Sequence, residues 1–169
     1  MYFIIKVHYL EVKIILNNKA KRPLSGQEMA DLLLQQLKSL FEEYTVDFAY
    51  LGGSWAKNKQ NWWSDIDIFI SIPNFLQLTS KIQLDILTQF HVKATDLTKF
   101  EEFEIIVLEA LPLHVQFSAI TNGILIYEKN PEVCSSYLEK LLPLYYDHMI
   151  WYKRLIDQSQ YVEKSGEKS

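Results

Sequence analysis

The sequence predicts an α/β fold in which a mixed sheet is covered by helices mainly on one side. Short β-rich runs alternate with longer segments whose apolar residues recur at helical spacing. Extra strand-like pieces between the helices make the sheet mixed rather than purely parallel. The composition, 49% hydrophobic and 22% charged over 169 residues, suits one globular domain with a single core.

Local signals mark the ends of the predicted elements. Ser25 and Glu28 stand at the spacing of a capping box, which opens the first helix. A Gly-Gly pair predicts a tight turn after the first strand, and Gly123 suits the C′ position of a helix. Pro143 predicts a break in the last helical segment. In chain order we predict a helix over 26–43, a strand over 46–51, a helical turn and polar loop over 55–64, a strand over 65–72, a helix over 74–90, a strand over 103–108, a helix over 112–122, a strand over 124–127 and helical structure over 131–158.

These elements form one predicted domain over residues 1–160, followed by a polar, disordered tail over 161–169. Residues 1–24 are predicted to add an N-terminal strand and loop, because polar residues fall with period two along an apolar run too short to span a bilayer. A net charge of −4 gives no general attraction to extended nucleic acid. The lone Cys134 fits a reducing compartment, so we expect a cytoplasmic protein without membrane association.

Two aspartates, Asp65 and Asp67, are predicted to share one face of a strand. Side chains at i and i+2 of a strand point the same way, while Ile66, Ile68 and Ile70 would point into the core. At a separation of roughly 6–7 Å and an effective dielectric of about 20, the two charges repel by about 2–3 kcal/mol unless a cation lies between them. Hard oxygen ligands favour Mg²⁺. An isolated Asp-x-Asp is otherwise only the solvated face of a half-buried strand.

Gly53 and Ser54, upstream of the aspartates, favour the metal interpretation. Glycine lets the backbone approach a phosphate closely, and free N–H groups at a helix start bind anions. Alone, Gly-Ser is an ordinary helix cap. The order strand, Gly-Ser, helical turn, loop, strand, Asp-x-Asp predicts a phosphate cradle and a metal pair at the ends of neighbouring strands, as two-metal phosphoryl chemistry requires.

The segment Gly-Ser-Trp-Ala-Lys-Asn-Lys-Gln-Asn-Trp-Trp-Ser-Asp-Ile-Asp, from Gly53 to Asp67, resembles the signature of minimal nucleotidyltransferases, the short members of the DNA polymerase β-like superfamily. The runs 103–112 and 123–127 resemble the family's later strand, helix and short strand, so the resemblance covers about residues 26–130. It implies a polymerase β-like nucleotidyltransferase fold. Asn58 stands where the family often has glycine, and asparagine tolerates left-handed backbone geometry.

The resemblance also implies roles for individual residues. Asp65 and Asp67 would hold two Mg²⁺ ions, together with a third carboxylate on the later strand. By position this carboxylate is Glu104, a glutamate where the family usually has aspartate; Asp96 is the alternative if the strand lies earlier. Lys57 could reach a triphosphate or remain solvated. The residues expected to contact the nucleotide are Gly53, Ser54, Lys57 and Ser64.

The activity that the resemblance implies is transfer of a nucleoside monophosphate, AMP from ATP, to a hydroxyl acceptor. Stand-alone members of the family are antitoxins that attach AMP to a tyrosine of an all-helical HEPN ribonuclease toxin, so such a toxin is the expected partner. Two alternatives stay open. The acceptor could be a small molecule of the aminoglycoside type, or the chain could be a binding-only antitoxin whose degenerate third carboxylate has ended catalysis. The oligomeric state is also open.

The last helical segment carries an apolar stripe that has two interpretations. Leu141, Tyr145, Met149, Tyr152 and Ile156 recur at helical spacing. Most such stripes dock on the domain's own sheet. The aromatic area at the end of a small domain also suits a partner surface.

Overall fold

The structure, a computed structural model, describes residues 24–61, 64–100 and 102–166, with side chains through Ile156. In chain order its elements are α1 (Gly26–Glu43), β1 (Phe48–Leu51), a short helical turn α2 (Gly53–Ala56), β2 (Ile66–Ser71), α3 (Ser80–Thr98), β3 (Phe103–Val107), α4 (Leu113–Asn122), β4 (Ile124–Glu128) and α5 (Pro131–Gly166). The predicted N-terminal strand lies outside the described residues. Within these ranges, no helix combines the length and the apolarity needed to cross a membrane.

The described strands form one mixed sheet in the order β3-β2-β1-β4. Strand β1 pairs antiparallel with both β2 and β4, whereas β2 and β3 run parallel and are joined through α3. The end of β1 therefore lies beside the starts of β2 and β4, and the start of β3 lies beside the start of β2. We call this side of the sheet the site edge.

Two apolar clusters cover the two faces of the sheet. The larger cluster packs α1 and α3 against one face, where Ile66, Ile68 and Ile70 are buried as predicted. The smaller cluster places α4 and the first turns of α5 against Phe48 and Tyr50 on the other face. Most of the helix packing is on one face, which confirms the predicted mixed α/β fold. Because β1 alternates between the two clusters, all four of its residues are buried.

The predicted capping box of α1 is confirmed. The Glu28 backbone N–H donates to Ser25 Oγ at 3.2 Å, and the Ser25 backbone N–H donates to the Glu28 carboxylate at 2.9 Å. This reciprocal pair fixes the start of the helix and the direction from which the chain enters it.

The predicted break at Pro143 is wrong, because α5 continues through this residue. Proline removes one helical N–H, which leaves the carbonyl of Glu139 without its helical partner. Both residues lie on the exposed side of the helix, where water can satisfy that carbonyl. The helix also extends to Gly166, beyond the predicted end near residue 158.

Two further elements differ from their predicted form. The predicted helix over 74–90 is a 3₁₀ turn (Phe75–Gln77) followed by α3, which continues to Thr98 because no helix breaker follows Phe90. Gly123 ends α4 but is extended, with φ of −80°, rather than left-handed. A side chain there would collide with the Ala119 carbonyl, so close packing is what requires glycine.

Candidate functional site

The turn between β1 and α2 lies at the site edge and requires both of its glycines. Gly53 has φ of +58°, a left-handed conformation that glycine adopts without steric cost. A Cβ atom at this residue would collide with the carboxylate of Asp67, and one at Gly52 would collide with the Phe69 ring. The Gly52 N–H donates to the Asp67 carbonyl at 2.9 Å. The predicted tight turn is thus confirmed, and its backbone lies directly against an Asp-x-Asp carboxylate.

The first N–H groups of α2 are not used by the turn itself. Its first internal hydrogen bond is donated by Ala56 to the Gly52 carbonyl at 3.0 Å, so the N–H groups before Ala56 have no acceptor within the turn. Ser54 is half-buried and Lys57 is exposed. A small cleft of about 80 Å³ beside the turn is lined by Gly53 and Lys57 on one side and by α4 on the other. Its donors and its lysine suit an anionic group.

Asp67 and Glu104 lie side by side on neighbouring strands. They are register partners in the parallel pairing of β2 with β3, so their side chains leave the same face of the sheet. Asp67 is partly buried and Glu104 is exposed. Of the two candidates for the third carboxylate, Glu104 is therefore the one beside the aspartates, whereas Asp96 is exposed on α3.

Asp65 and Ser64 precede β2 rather than belonging to it. Asp65 is exposed immediately before the strand, and its charge still acts on Asp67. The Ser64 hydroxyl accepts a hydrogen bond from the Asn61 backbone N–H at 2.8 Å, and its carbonyl accepts one from Trp55 Nε1 at 3.3 Å. Ser64 is thus part of the hydrogen-bonded loop, and a contact between Ser64 and a nucleotide stays a prediction.

The surroundings of Asp67 disfavour its ionised form. Burial raises the pKa of Asp67 above its ordinary value, and the pKa is raised further by the charge of Glu104, by a hydrogen bond with that carboxyl group and by the charge of Asp65. The neighbouring carboxylates thus concentrate negative charge that a bound cation would offset.

The donor chemistry of these carboxylates fits a magnesium ion. Among the described residues, no three Asp, Glu, His or Cys side chains converge tightly enough to form a metal cage of their own. Mg²⁺ is commonly held by one or two protein carboxylates plus water and substrate phosphate, rather than by an all-protein cage. Asp67 and Glu104, with Asp65 close by, match that partial ligand set.

A larger cleft of about 460 Å³ lies at the opposite edge of the sheet, where β1 begins and β2 ends. Glu109 lines it, accepts a hydrogen bond from the Ser71 hydroxyl through one carboxylate oxygen and has the other oxygen buried without a partner among the described residues. Burial raises the pKa of Glu109, and the hydrogen bond from Ser71 lowers it in part. None of the predicted site residues lies in this cleft.

The apolar stripe of α5 is covered for only part of its length. Leu141 is 4% exposed, and the Tyr145 ring stacks on Phe117 with centroids 4.0 Å apart. One turn later, Met149 is 39% and Tyr152 is 50% exposed, although both continue the same stripe. The helix thus extends past the domain surface that it packs against.

A mixed sheet with a glycine turn and two adjacent carboxylates at one edge fits the nucleotidyltransferase fold. The family model described as polymerase beta, nucleotidyltransferase matches residues 35–132, which include Gly53, Asp67 and Glu104. The chain belongs to this family. No curated protein matches the chain.

Solved structures with the same fold come from toxin–antitoxin complexes. A chain from the crystal structure of a toxin–antitoxin pair with AMP-PNP is 16% identical, with a TM-score of 0.59, over 75% of this chain and 98% of that one. A chain from the tri-AMPylated HEPN toxin of Shewanella oneidensis in complex with its MNT antitoxin is 15% identical, with a TM-score of 0.56, over 78% of this chain and 98% of that one. A chain from the MntA–HepT complex is 15% identical, with a TM-score of 0.55, over 76% of this chain and 97% of that one. At these identities the likeness concerns the fold.

Proposed function

We propose that the chain transfers AMP from ATP to a tyrosine hydroxyl of a HEPN-type toxin and thereby acts as its antitoxin. The observation that carries the catalytic part is the position of Asp67, which touches the Gly53 turn on one side and Glu104 on the other. A turn that can bind phosphate, directly adjacent to a pair of carboxylates that can hold metal ions, suits phosphoryl transfer at this edge of the sheet.

In the proposed reaction the acceptor oxygen forms a bond to the α-phosphorus of ATP, and the bond from that phosphorus to the bridging oxygen of the β-phosphate breaks. Pyrophosphate leaves, and the hydroxyl proton passes to Glu104, which is exposed to an incoming acceptor. Gly53 and Ser54 bind the β- and γ-phosphates through backbone N–H groups and the Ser54 hydroxyl, and Lys57 adds a positive charge. Asp65, Asp67 and Glu104 would hold two Mg²⁺ ions, which supply electrostatic stabilisation of the phosphates when bound.

The uncovered part of the α5 stripe supports a protein partner. Met149 and Tyr152, which are 39% and 50% exposed, continue the apolar stripe on a part of the helix that projects beyond its own domain. Large apolar patches on a soluble protein commonly mark interaction sites, and aromatic side chains are enriched in their centres. An all-helical partner could pack a helix against this surface. The toxin complexes among the solved structures of the same fold favour a HEPN protein in that role.

The direct test is transfer of label from α-labelled ATP, with Mg²⁺, to the protein encoded by the neighbouring gene. We expect label on a tyrosine of that protein, and we expect the Asp65→Asn/Asp67→Asn double variant to transfer none. Asp85→Asn, which removes an exposed aspartate from α3, is the matched control and should transfer normally. Complex formation without any label, unaffected by the double variant, would refute the proposed catalysis. Label on a small hydroxylated acceptor, but not on the protein, would refute the proposed acceptor.

The partner surface has a separate test. Met149→Lys should weaken the complex, because a lysine charge would be buried in an apolar contact. Leu84→Lys is the matched control: Leu84 is 66% exposed on α3, away from α5, so this variant should bind normally. Equal binding by both variants would exclude the α5 surface.

One observation favours a second candidate, a binding-only antitoxin. The third carboxylate would be the exposed Glu104, a glutamate at a position where the resemblance implies an aspartate. Measuring the binding of a non-hydrolysable ATP analogue with and without Mg²⁺ separates the two candidates, because only the enzyme needs metal-dependent nucleotide binding.

A further inference from the structure

The short helix α2 and the loop that follows it are braced against the start of α1 by three contacts between segments distant in sequence. The Gly26 backbone N–H donates to Asn58 Oδ1 at 2.8 Å, and Gln60 Nε2 donates to the Leu24 carbonyl. Gly26 also packs so closely on the Trp55 carbonyl that a Cβ atom would collide with it. The loop is thus tied to the first turn of a helix that belongs to the main core.

Asn58 contributes two separate features to this brace. Its backbone is left-handed, with φ of +52°, and its N–H donates to the Trp55 carbonyl at 3.1 Å, which closes the turn after α2. Its side-chain oxygen accepts the N–H of Gly26, one of the helix-start donors that the helix itself leaves unpaired. Glycine, the common family residue, would provide only the first feature.

Helix α1 is a rigid anchor for this loop. Its Met29 and Leu33 are 2% and 0% exposed in the main cluster, so its first turn has little freedom to move. The brace therefore fixes the position of Gly53, whose backbone already touches the Asp67 carboxylate. Movement of the loop would change the distance between the glycine turn and the carboxylates.

We propose that Asn58 is a positioning residue: by accepting the Gly26 N–H from a left-handed turn, it holds Gly53 and Ser54 at the distance from Asp67 and Glu104 that the nucleotide's phosphates require. This role rests on the proposed function, because it assumes that the turn receives phosphates. It goes beyond the function by naming a residue that touches neither the substrate nor a metal.

A second asparagine, Asn74, provides a control that distinguishes positioning of the glycine turn from a purely local effect of Asn58 on its own backbone. Asn74 is also left-handed, with φ of +58°, and makes no capping hydrogen bond with its side chain. It lies beyond the other end of β2, beside the larger cleft. Asn74→Gly therefore removes an asparagine from the same backbone conformation without disturbing the brace.

The experiment compares Asn58→Gly with Asn74→Gly in the full chain, using two measurements. Amide hydrogen exchange should become faster at Ala56, whose N–H is hydrogen-bonded to the Gly52 carbonyl, in Asn58→Gly, while Asn74→Gly should keep the native rate there. The dissociation constant of a non-hydrolysable ATP analogue with Mg²⁺ should rise about fivefold in Asn58→Gly, as expected for loss of one hydrogen bond, and stay unchanged in Asn74→Gly. Asn58→Asp retains an acceptor for Gly26, so its exchange rates should be close to native.

Unchanged exchange at the Ala56 N–H in Asn58→Gly would overturn the positioning role. An unchanged dissociation constant in that variant, with measurable binding by the native protein, would also overturn it. If the native protein binds no nucleotide, the proposed function fails, and the positioning role for the phosphates fails with it. The exchange measurement then still decides whether Asn58 braces the turn, so the two failures are distinguishable.

Discussion

Replacing Asp67 with asparagine should stabilise the metal-free protein while it removes the proposed activity. Asp67 and Glu104 are direct neighbours across parallel strands, about 4.8 Å apart at the backbone. Two unit charges at that distance repel by about 3 kcal/mol at an effective dielectric of 20 and by about 1 kcal/mol in water. Because Glu104 is exposed, solvent screening favours the lower value. We expect Asp67→Asn to gain about 1 kcal/mol, or about 2–4 °C in melting temperature.

The gain should depend on pH in a defined direction. The pKa of Asp67 in the folded chain lies above its ordinary value of 3.8. Between these two values the folded state binds more protons than the unfolded state, so the native free energy of unfolding falls as pH rises through this interval. The variant lacks this contribution. Its advantage over the native protein should therefore be complete at pH 8 and should disappear as pH falls towards 3.8.

Urea denaturation in EDTA, at pH 8 and again near pH 4, measures this difference. Asp85→Asn is the control for loss of one negative charge, and it should show little change at either pH. Mg²⁺ should then stabilise the native protein more than Asp67→Asn, since the variant has lost a ligand. A variant that is no more stable than the native protein at pH 8, or an equal gain in Asp85→Asn, would refute this account of the site.

Three further predictions follow from individual residues. Gly53→Ala should lower the free energy of unfolding by at least about 2 kcal/mol, because alanine is strained at a φ of +58° and its methyl group would collide with Asp67. An unchanged midpoint in urea denaturation would contradict this. Pro143→Ala should raise the stability measured by calorimetry by up to about 3 kcal/mol, since it restores a helical hydrogen bond in α5, whereas a lower melting temperature would show that proline is needed there. The pKa of Glu109 is raised above its ordinary value of 4.5, so the stability of the native protein should fall as pH rises above 4.5. Glu109→Gln should reduce this dependence of the urea midpoint on pH between pH 4 and 8. An equal slope in both proteins would exclude Glu109 as the cause.

The local features of the fold could be predicted from the sequence because short-range rules determine them. The capping box at Ser25 and the glycine turn depend on residues within a few positions of each other. The buried isoleucines of β2 follow from period two. Pro143 was predicted wrongly because its effect depends on whether the freed carbonyl faces water, which the local sequence does not state.

The candidate site could be predicted only in part. Asp67 and Gly53 belong to one short motif, so their proximity follows from the spacing of two strands and a turn. The pairing of Glu104 with Asp67 depends on the register of β3 with β2, across a connection that includes the whole of α3, and the resemblance to known nucleotidyltransferases supplied it. The bond from Gly26 to Asn58 joins residues 32 positions apart and has no periodic signal. The one sequence signal for this bond was the asparagine at position 58, where the family often has glycine.

The position of β3 has a consequence for how the site is kept assembled. Among the described strands, β3 is at the border of the sheet and pairs only with β2, whereas β2 is held on both sides. Glu104 therefore sits near the start of a strand that is held by one ladder of hydrogen bonds and by the burial of Phe103 and Val107, so fraying at this end would move Glu104 while Asp67 stays in place. Such fraying would separate the two negative charges, and a cation bound between them would oppose it. In the proposed function, the border of the sheet is therefore most ordered when metal and nucleotide are bound.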